Sequence, residues 1–153
     1  MLQARDIMTK EVLTVTPETP IAELARLIEK RNIGGVPVVD QSGRLAGIVT
    51  QSDLVEHVQE MELPPAINIL DLHLFLQIPS HLFHKVEKLL GRTVGDIMTP
   101  NPITVNADTA APKIAALMTR HQVHTIPVLE QGKVVGIIGK MDLIRALAQE
   151  AGE

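Results

Sequence analysis

The chain contains no cysteine, tryptophan or tyrosine, and its only phenylalanines are Phe75 and Phe83. Without cysteine, the protein has no disulfide bonds, thiolate metal sites or cysteine nucleophiles, and a reducing cytoplasmic compartment is expected. Aromatic residues make up 1% of the 153 residues and apolar residues 45%, so the core has to be built from aliphatic side chains. A chain of this length can bury one good core or two small fused ones.

Long apolar runs and clusters of positive charge are also missing. No uninterrupted apolar stretch approaches the roughly 18 residues of a membrane span, and residues 1–6 lack the basic start of a signal peptide. Lysine and arginine are scattered singly, and the net charge is −4. These features predict a cytoplasmic protein that has neither a membrane nor a nucleic acid as its partner.

An internal repeat covers most of the chain. The segment D-I-M-T at residues 6–9 returns at 96–99, and V-P-V at 36–38 returns as I-P-V at 126–128. The offset is 90 residues up to this point and 89 after it, because one residue is lost in the turn at Ser42 and Gly43. Such self-similarity determines the fold. Function is therefore sought at the interface between the two copies, here called the seam, and at the positions where the copies differ.

Each copy has the pattern strand, helix, strand, strand, helix, with a hydroxyl N-cap expected at Thr19 before Pro20. One copy would leave a sheet face exposed, which the other copy has to cover. The predicted fold is α+β, with two β-α-β-β-α units in a pseudo-twofold arrangement and their sheets packed face to face. The predicted boundaries are residues 1–58 for the first repeat, 59–92 for an inserted connector and 93–153 for the second repeat.

The D-I-M-T opening, the h-P-V-V strand (h, apolar) and the G-h-h-T-x-x-D-L ending resemble a cystathionine-β-synthase (CBS) domain. Two in tandem resemble a CBS pair, or Bateman module, over residues 4–58 and 94–149. The resemblance implies a regulatory module that binds AMP, ADP, ATP or a related adenosyl ligand in the inter-repeat cleft. It also implies a homodimer that has no catalytic cofactor and acts through a separate effector protein.

The stretch from Gly47 to Asp53 runs from a strand end into a helix start, where N–H groups and the helix dipole favour an anion. The resemblance assigns phosphate binding to Thr50 and ribose binding to Asp53; the alternative is that Ser52 or Asp53 simply caps the helix. It also brings a basic residue of the other copy to the phosphates and holds adenine between apolar strands. The predicted nucleotide site comprises Thr14, Val15, Val36, Pro37, Val38, Thr50, Asp53, His124 and Lys140.

The second copy departs from this pattern because Gly139 stands where Thr50 stands in the first. Glycine lets a ligand approach closely but offers no hydroxyl. We therefore expect a second, weaker site formed by Thr104, Gly34, Gly35, Gly139 and Asp142.

Other functions find less support in the sequence. His81 and His84, and likewise His121 and His124, are spaced like metal ligands, but no carboxylate follows at a telling distance, so no metal site is predicted. There is no nucleophile–base pair, phosphate-binding loop or dinucleotide fingerprint, so no catalytic residue is predicted. The alternative to a ligand sensor is a structural dimerisation or interaction module without ligand.

The connector at 59–92 is apolar over residues 67–78 and then predicts a helix from Ser80 to Gly91. It is interpreted either as a flap over its own module or as a subunit contact. A homodimer is expected because the closing helices would leave apolar side chains uncovered, namely Leu54, Val58, Leu143 and Leu147.

Overall fold

The computed structural model describes residues 1–60 and 92–152, except for the side chains of residues 58–60. Nearly all of the expected connector lies outside these residues, as do Phe75, Phe83 and the His81–His84 pair. The described residues form six helices and six strands: α1 Ala4–Ile7, α2 Ile21–Arg31, β1 Gly35–Val39, β2 Leu45–Thr50, α3 Gln51–Glu60, α4 Val94–Ile97, β3 Thr99–Pro100, β4 Val105–Asn106, α5 Ala111–His121, β5 Thr125–Glu130, β6 Lys133–Gly139 and α6 Lys140–Ala151.

The strands form two three-stranded sheets, ordered β1-β2-β3 and β4-β5-β6, and the first sheet includes β3 from the second half of the chain. Their centres are the predicted hairpins, β1 with β2 and β5 with β6, both antiparallel. The first predicted strand of each copy is shorter than expected. In the first copy it is a single parallel bridge between Val15 and Val38, and in the second it is the short β4, parallel to β5.

The two hairpin turns explain the change in repeat offset. In the first, Asp40 Oδ1 accepts the N–H groups of Ser42 (2.9 Å) and Arg44 (3.0 Å), and Gly43 has a φ of 84°. In the second, Gln131 and Gly132 have φ angles of 53° and 78°, as a tight two-residue hairpin turn requires. The second turn therefore needs one residue fewer.

Each D-I-M-T segment packs on the other copy. The N–H of Ala4 at the start of α1 donates to Thr109 O (2.8 Å), and Thr9 and Ile137 exchange two backbone hydrogen bonds of 2.9 and 3.0 Å. Reciprocally, β3 pairs with β2 of the first copy, and Val94 is fully buried in the first core. The two copies are therefore linked by exchanged segments as well as by side-chain contacts.

Equivalent positions of the two copies meet at the seam. Gly34 lies beside His124, and Gly35 lies beside Thr125, in both cases at the 90-residue offset. Arg44 bridges to Lys133 at the 89-residue offset. Contacts between equivalent residues are what a twofold axis produces. The predicted α+β fold of two pseudo-twofold units is confirmed.

Two local expectations are corrected. Helix α2 begins at Ile21 after Pro20, and the Thr19 hydroxyl accepts the Thr16 N–H (3.1 Å) instead of capping the helix. Leu54 is only 1% exposed and belongs to the first core, so it is not part of an uncovered face. Over the described part of the chain, the helices are all too short or too polar to cross a bilayer.

Candidate functional site

A cavity of about 530 Å³ lies at the seam and is lined by both copies. This volume lies within the range that small-molecule sites occupy. Its apolar wall is formed by Val12, Leu13, Ile33, Ile137 and Met141. Its charged and ionisable side chains are Glu11, Arg31, His124, Lys140 and Asp142.

The register of the second hairpin gathers the basic groups. Because Thr125 pairs with Gly139, His124 and Lys140 meet at the same end of the sheet, and the Lys140 N–H donates to His124 O (3.1 Å). Helix α6 begins at this point, so its first-turn N–H groups and positive dipole end lie beside the cavity. This end of the cavity favours an anionic group.

Asp142 adds a carboxylate to the same site. Its Oδ2 accepts the Gly139 N–H (2.8 Å), which caps α6, and its Oδ1 is 3.4 Å from Nη1 of Arg145. The Asp142 side chain is 15% exposed, whereas that of Arg145 is 64% exposed. An ionised carboxylate has about four lone-pair positions. Asp142 therefore retains acceptor capacity toward the cavity.

A further part of the cavity wall comes from the exchanged N-terminal segment. Thr9 is fixed by its two bonds to Ile137, and the chain after it carries Val12 and Leu13 into the cavity. The sequence analysis missed these residues, together with Ile33 and Arg31. The repeated D-I-M-T segment is the signal that could have pointed to them, because it ends at Thr9.

The structure regroups the predicted site residues. His124 and Lys140 line the cavity together with Gly34, Gly35, Gly139 and Asp142, the set that was expected to be the weaker site apart from Thr104. Thr50 and Asp53 are not among its lining residues. The expected grouping of His124 and Lys140 with Thr50 is thus not found in this cavity, because the strand register places both basic residues beside Asp142.

The residues expected to surround adenine are mostly inaccessible. Val15, Val36 and Val38 are 5%, 0% and 0% exposed in the first core, and Pro37 is also buried. A ligand cannot contact side chains that pack against α2 and α3 without opening that core. The exposed Thr14 and half-buried Thr104 are not among the described residues that line the cavity.

Asp53 has its hydrogen bonds within the protein. Its Oδ2 accepts the N–H (2.9 Å) and the hydroxyl (3.1 Å) of Thr50, and its Oδ1 is 3.4 Å from the Thr99 hydroxyl. Asp53 therefore caps α3, as the alternative interpretation held. It lines a depression of about 190 Å³ together with Glu56, His57, Arg92, Asp96 and Ile97.

Asp96 beside this depression caps α4 in the same way. Its Oδ2 accepts the N–H (2.9 Å) and the hydroxyl (3.2 Å) of Thr93. These two bonds, the backbone one first, hold the pKa of Asp96 below its ordinary value of 3.8. Among the described residues, no three His, Asp or Glu side chains converge as a metal site would require.

Comparison with known proteins agrees with this architecture. The CBS domain family model matches residues 4–60 and 94–149. The chain is 30% identical to the uncharacterized protein MJ1426 of Methanocaldococcus jannaschii, over 94% of this chain and 89% of that protein. It is 29% identical to the chloroplastic CBS domain-containing protein CBSX2 of Arabidopsis thaliana, over 94% of this chain but only 63% of the plant protein.

Solved structures extend the comparison. CBSX2 in complex with AMP superposes with a TM-score of 0.75 at 26% identity and covers 99% of both chains. The CBS domain pair of protein MJ0100, in complex with 5'-methylthioadenosine and S-adenosyl-L-methionine, has a TM-score of 0.74 at 25% identity. That match covers 95% of this chain and 99% of the other. With the family model matched twice, the chain belongs to the CBS domain family and is a tandem CBS pair.

Proposed function

We propose that this CBS pair is a regulatory sensor that binds an adenine nucleotide, or a related adenosyl compound, in the seam cavity. The observation that carries the proposal is the cavity of about 530 Å³, which joins an apolar wall to a carboxylate and a helix N-terminus. The AMP complex of CBSX2 and the adenosyl complexes of MJ0100 support this ligand class. The module acts by binding rather than by catalysis.

The adenine, ribose and phosphate groups of such a ligand would each contact a different part of the cavity lining. Adenine packs against Val12, Leu13 and Ile137, because aromatic rings are best held by apolar surfaces. The ribose hydroxyls donate to Asp142. Phosphate groups accept from Lys140 and from the first-turn N–H groups of α6, where the dipole favours negative charge.

We also propose that the protein is a homodimer, whose geometry communicates ligand binding to an effector protein. Met141, Ile144 and Leu147 form a stripe on α6 and are 61%, 54% and 65% exposed, and Leu147 also lines an apolar groove of about 460 Å³. Contiguous exposed apolar surface of this kind is typical of an interface. Met141 also lines the seam cavity, so a bound nucleotide would contact the end of the stripe. An effector protein would respond to the resulting change in dimer geometry.

Two aspartates allow a matched test of the ligand site. Asp142 and Asp53 cap α6 and α3 with equivalent backbone hydrogen bonds, and Asp53 also accepts the Thr50 hydroxyl, but only Asp142 lines the cavity. Asp142→Asn should weaken AMP binding by about 10-fold or more, because a hydrogen bond to a charged group is worth roughly 1.5–3 kcal/mol. Asp53→Asn should lose comparable stability and retain the AMP affinity. Calorimetry and melting curves on both variants measure the two effects.

If Asp53→Asn weakened AMP binding and Asp142→Asn did not, the ligand would lie in the Thr50–Asp53 cleft that the sequence analysis favoured. A wild-type protein that binds no compound in a panel of AMP, ADP, ATP and S-adenosyl-L-methionine would contradict the sensor. It would favour the alternative, a structural interaction module without ligand.

A further inference from the structure

The helix pairs of the two copies, α2–α3 and α5–α6, present different outer surfaces. At four positions the residues of the first pair are at most 4% exposed, namely Ile21, Ala25, Leu54 and His57. Their counterparts at the repeat offsets of 90 and 89 residues line the apolar groove of about 460 Å³, namely Ala111, Ala115, Leu143 and Ala146. The same surface is therefore covered in the first copy and open in the second.

The outer face of α5 carries no charged side chain. Its exposed residues at spacings of three and four, which share one helix face, are Pro112, Ala115, Ala116 and Thr119. At the last two of these positions α2 carries charge, with Arg26 and Glu29. Among the described residues that line the groove, Glu150 has the only charged side chain. The net charge of the chain is −4, so two copies repel each other least where neither presents a charge.

The groove lies next to the exposed stripe of α6. Leu147 belongs to both, while α5 contributes only small residues, alanine and proline, to the groove. Large side chains on one helix surface pack into the gaps that small side chains leave on another. A second copy turned about a twofold axis can place its stripe in this groove and receive the first copy's stripe in its own. The surface is therefore self-complementary, as a twofold contact requires.

The α2–α3 pair is less suited to such a contact. Its four equivalent positions are already buried within one chain, so they form no counterpart of the groove. The described chain also leaves this pair at Glu60, the end of α3, and returns at Arg92, whose carbonyl accepts the Ile21 N–H (3.1 Å) at the start of α2. Residues 61–91 thus begin and end at this helix pair. The α5–α6 pair is the one that has an apolar surface to cover.

We propose that two copies of the chain associate through their α5–α6 surfaces alone. The stripe of each copy, with Ile144 and Leu147, occupies the partner's groove, and both α2–α3 pairs lie outside the contact. The first copies of the repeat then stand at the outer ends of an open dimer. The inference rests on the homodimer of the proposed function, whose contact surface it names, and does not depend on a bound nucleotide.

Pulsed electron paramagnetic resonance of singly labelled dimers tests this geometry. The chain has no cysteine, so one spin label can be attached at a chosen position. Arg120 of α5 and Lys30 of α2 are exposed residues at equivalent positions, so Arg120→Cys and Lys30→Cys are matched variants. The distance between the two labels of a dimer should be clearly shorter for Arg120→Cys. A dimer that used both helix pairs equally would give similar distances, because the pseudo-twofold axis relates the two positions.

Charge substitutions test the same surface in the unlabelled chain. Ala116→Arg combined with Thr119→Glu gives α5 the charges of α2, and light scattering at micromolar concentration should then give the monomer mass of 16.7 kDa. Both positions are exposed, so circular dichroism should show the helix content of the wild type. The reciprocal variant, Arg26→Ala with Glu29→Thr, should retain the dimer mass.

The outcomes separate this inference from the proposed function. A double variant on α5 that stays dimeric, or equal distances for the two labelled variants, would overturn the inference and leave the homodimer in place. A monomeric wild type would overturn the homodimer, and the inference with it. Nucleotide binding in the seam cavity is measured separately by calorimetry and is not affected by either result.

Discussion

Gly35 and Thr125 occupy equivalent positions of the two copies and face each other across the seam. A Cβ placed on Gly35 would lie 3.3 Å from Cγ2 and 3.4 Å from Oγ1 of Thr125. Gly35 is buried and Thr125 is half-buried. A side chain at position 35 would therefore require Thr125 to shift by a few tenths of an ångström.

Gly35→Thr should destabilise the protein by roughly 1–3 kcal/mol, because extra atoms in a packed interior force shifts of the backbone or of rotamers. The exchange variant with both Gly35→Thr and Thr125→Gly should recover much of this loss. Chemical denaturation measures both changes. Gly34→Ala is the control, since its Cβ would meet His124 Cε1 at an ordinary 3.5 Å. An unchanged stability of Gly35→Thr would contradict the close seam.

Each exchanged segment places a methionine side chain directly against a glycine of the other copy. The Met8 side chain occupies the place of a Cβ on Gly136, and Met98 Sδ would lie 2.9 Å from a Cβ on Gly47. Gly136→Ala should therefore lower the free energy of unfolding by roughly 1–3 kcal/mol. Combining it with Met8→Ala should cost less than the sum of the two single changes, because both act on one contact.

Denaturation curves of the single and double variants give this coupling energy. Gly139→Ala serves as the control because its Cβ would have only ordinary contacts, the nearest at 3.7 Å. Strict additivity of Gly136→Ala and Met8→Ala would show that the two residues do not share a contact.

Self-association should depend on the exposed stripe of α6. Light scattering of the wild type at micromolar concentration should give about twice the 16.7 kDa chain mass. Leu147→Glu should give the monomer mass without unfolding, because the side chain is 65% exposed within one chain. Gln149→Glu adds the same charge elsewhere on α6, at an exposed position, and should remain a dimer. A monomeric wild type, or a dimeric Leu147→Glu, would refute the proposed interface.

Acid should weaken the cap of α4. The pKa of Asp96 is held below 3.8 by the Thr93 N–H and hydroxyl, so the capping contribution is fully present above the unfolded pKa. It is lost as the pH falls through the lower folded pKa. Thr93→Ala removes the hydroxyl and should raise the pKa of Asp96, which a carboxyl NMR titration measures.

The difference in melting temperature between wild type and Thr93→Ala should accordingly be largest near pH 7 and should shrink below about pH 3. Asp96→Asn has no carboxylate to protonate and provides the baseline. A difference that stays constant with pH would show that Asp96 does not mediate the effect of Thr93.

The repeat, the order of the elements and the hairpins could be predicted from the sequence alone. These features rest on local information: apolar periodicity, the turn residues around Gly43 and Gly132, and an aspartate in the first turn of four of the six described helices. The capping role of Asp53 could be stated as an alternative for the same reason, because acceptor and donor are only three residues apart. Local rules of this kind do not depend on which copy packs against which.

The position of the candidate cavity could not be predicted from the sequence. Val36 and Val38 are apolar in the sequence whether they face a ligand or a core, and their burial became known only from the packing of α2 and α3. Leu13 and Ile137, which are more than a hundred positions apart, reach the same cavity through the backbone hydrogen bonds between Thr9 and Ile137, and residues of any type could make these bonds. Because contacts of that kind leave no local pattern, the meeting of Val12 and Leu13 with His124, Lys140 and Asp142 in one cavity required the folded chain.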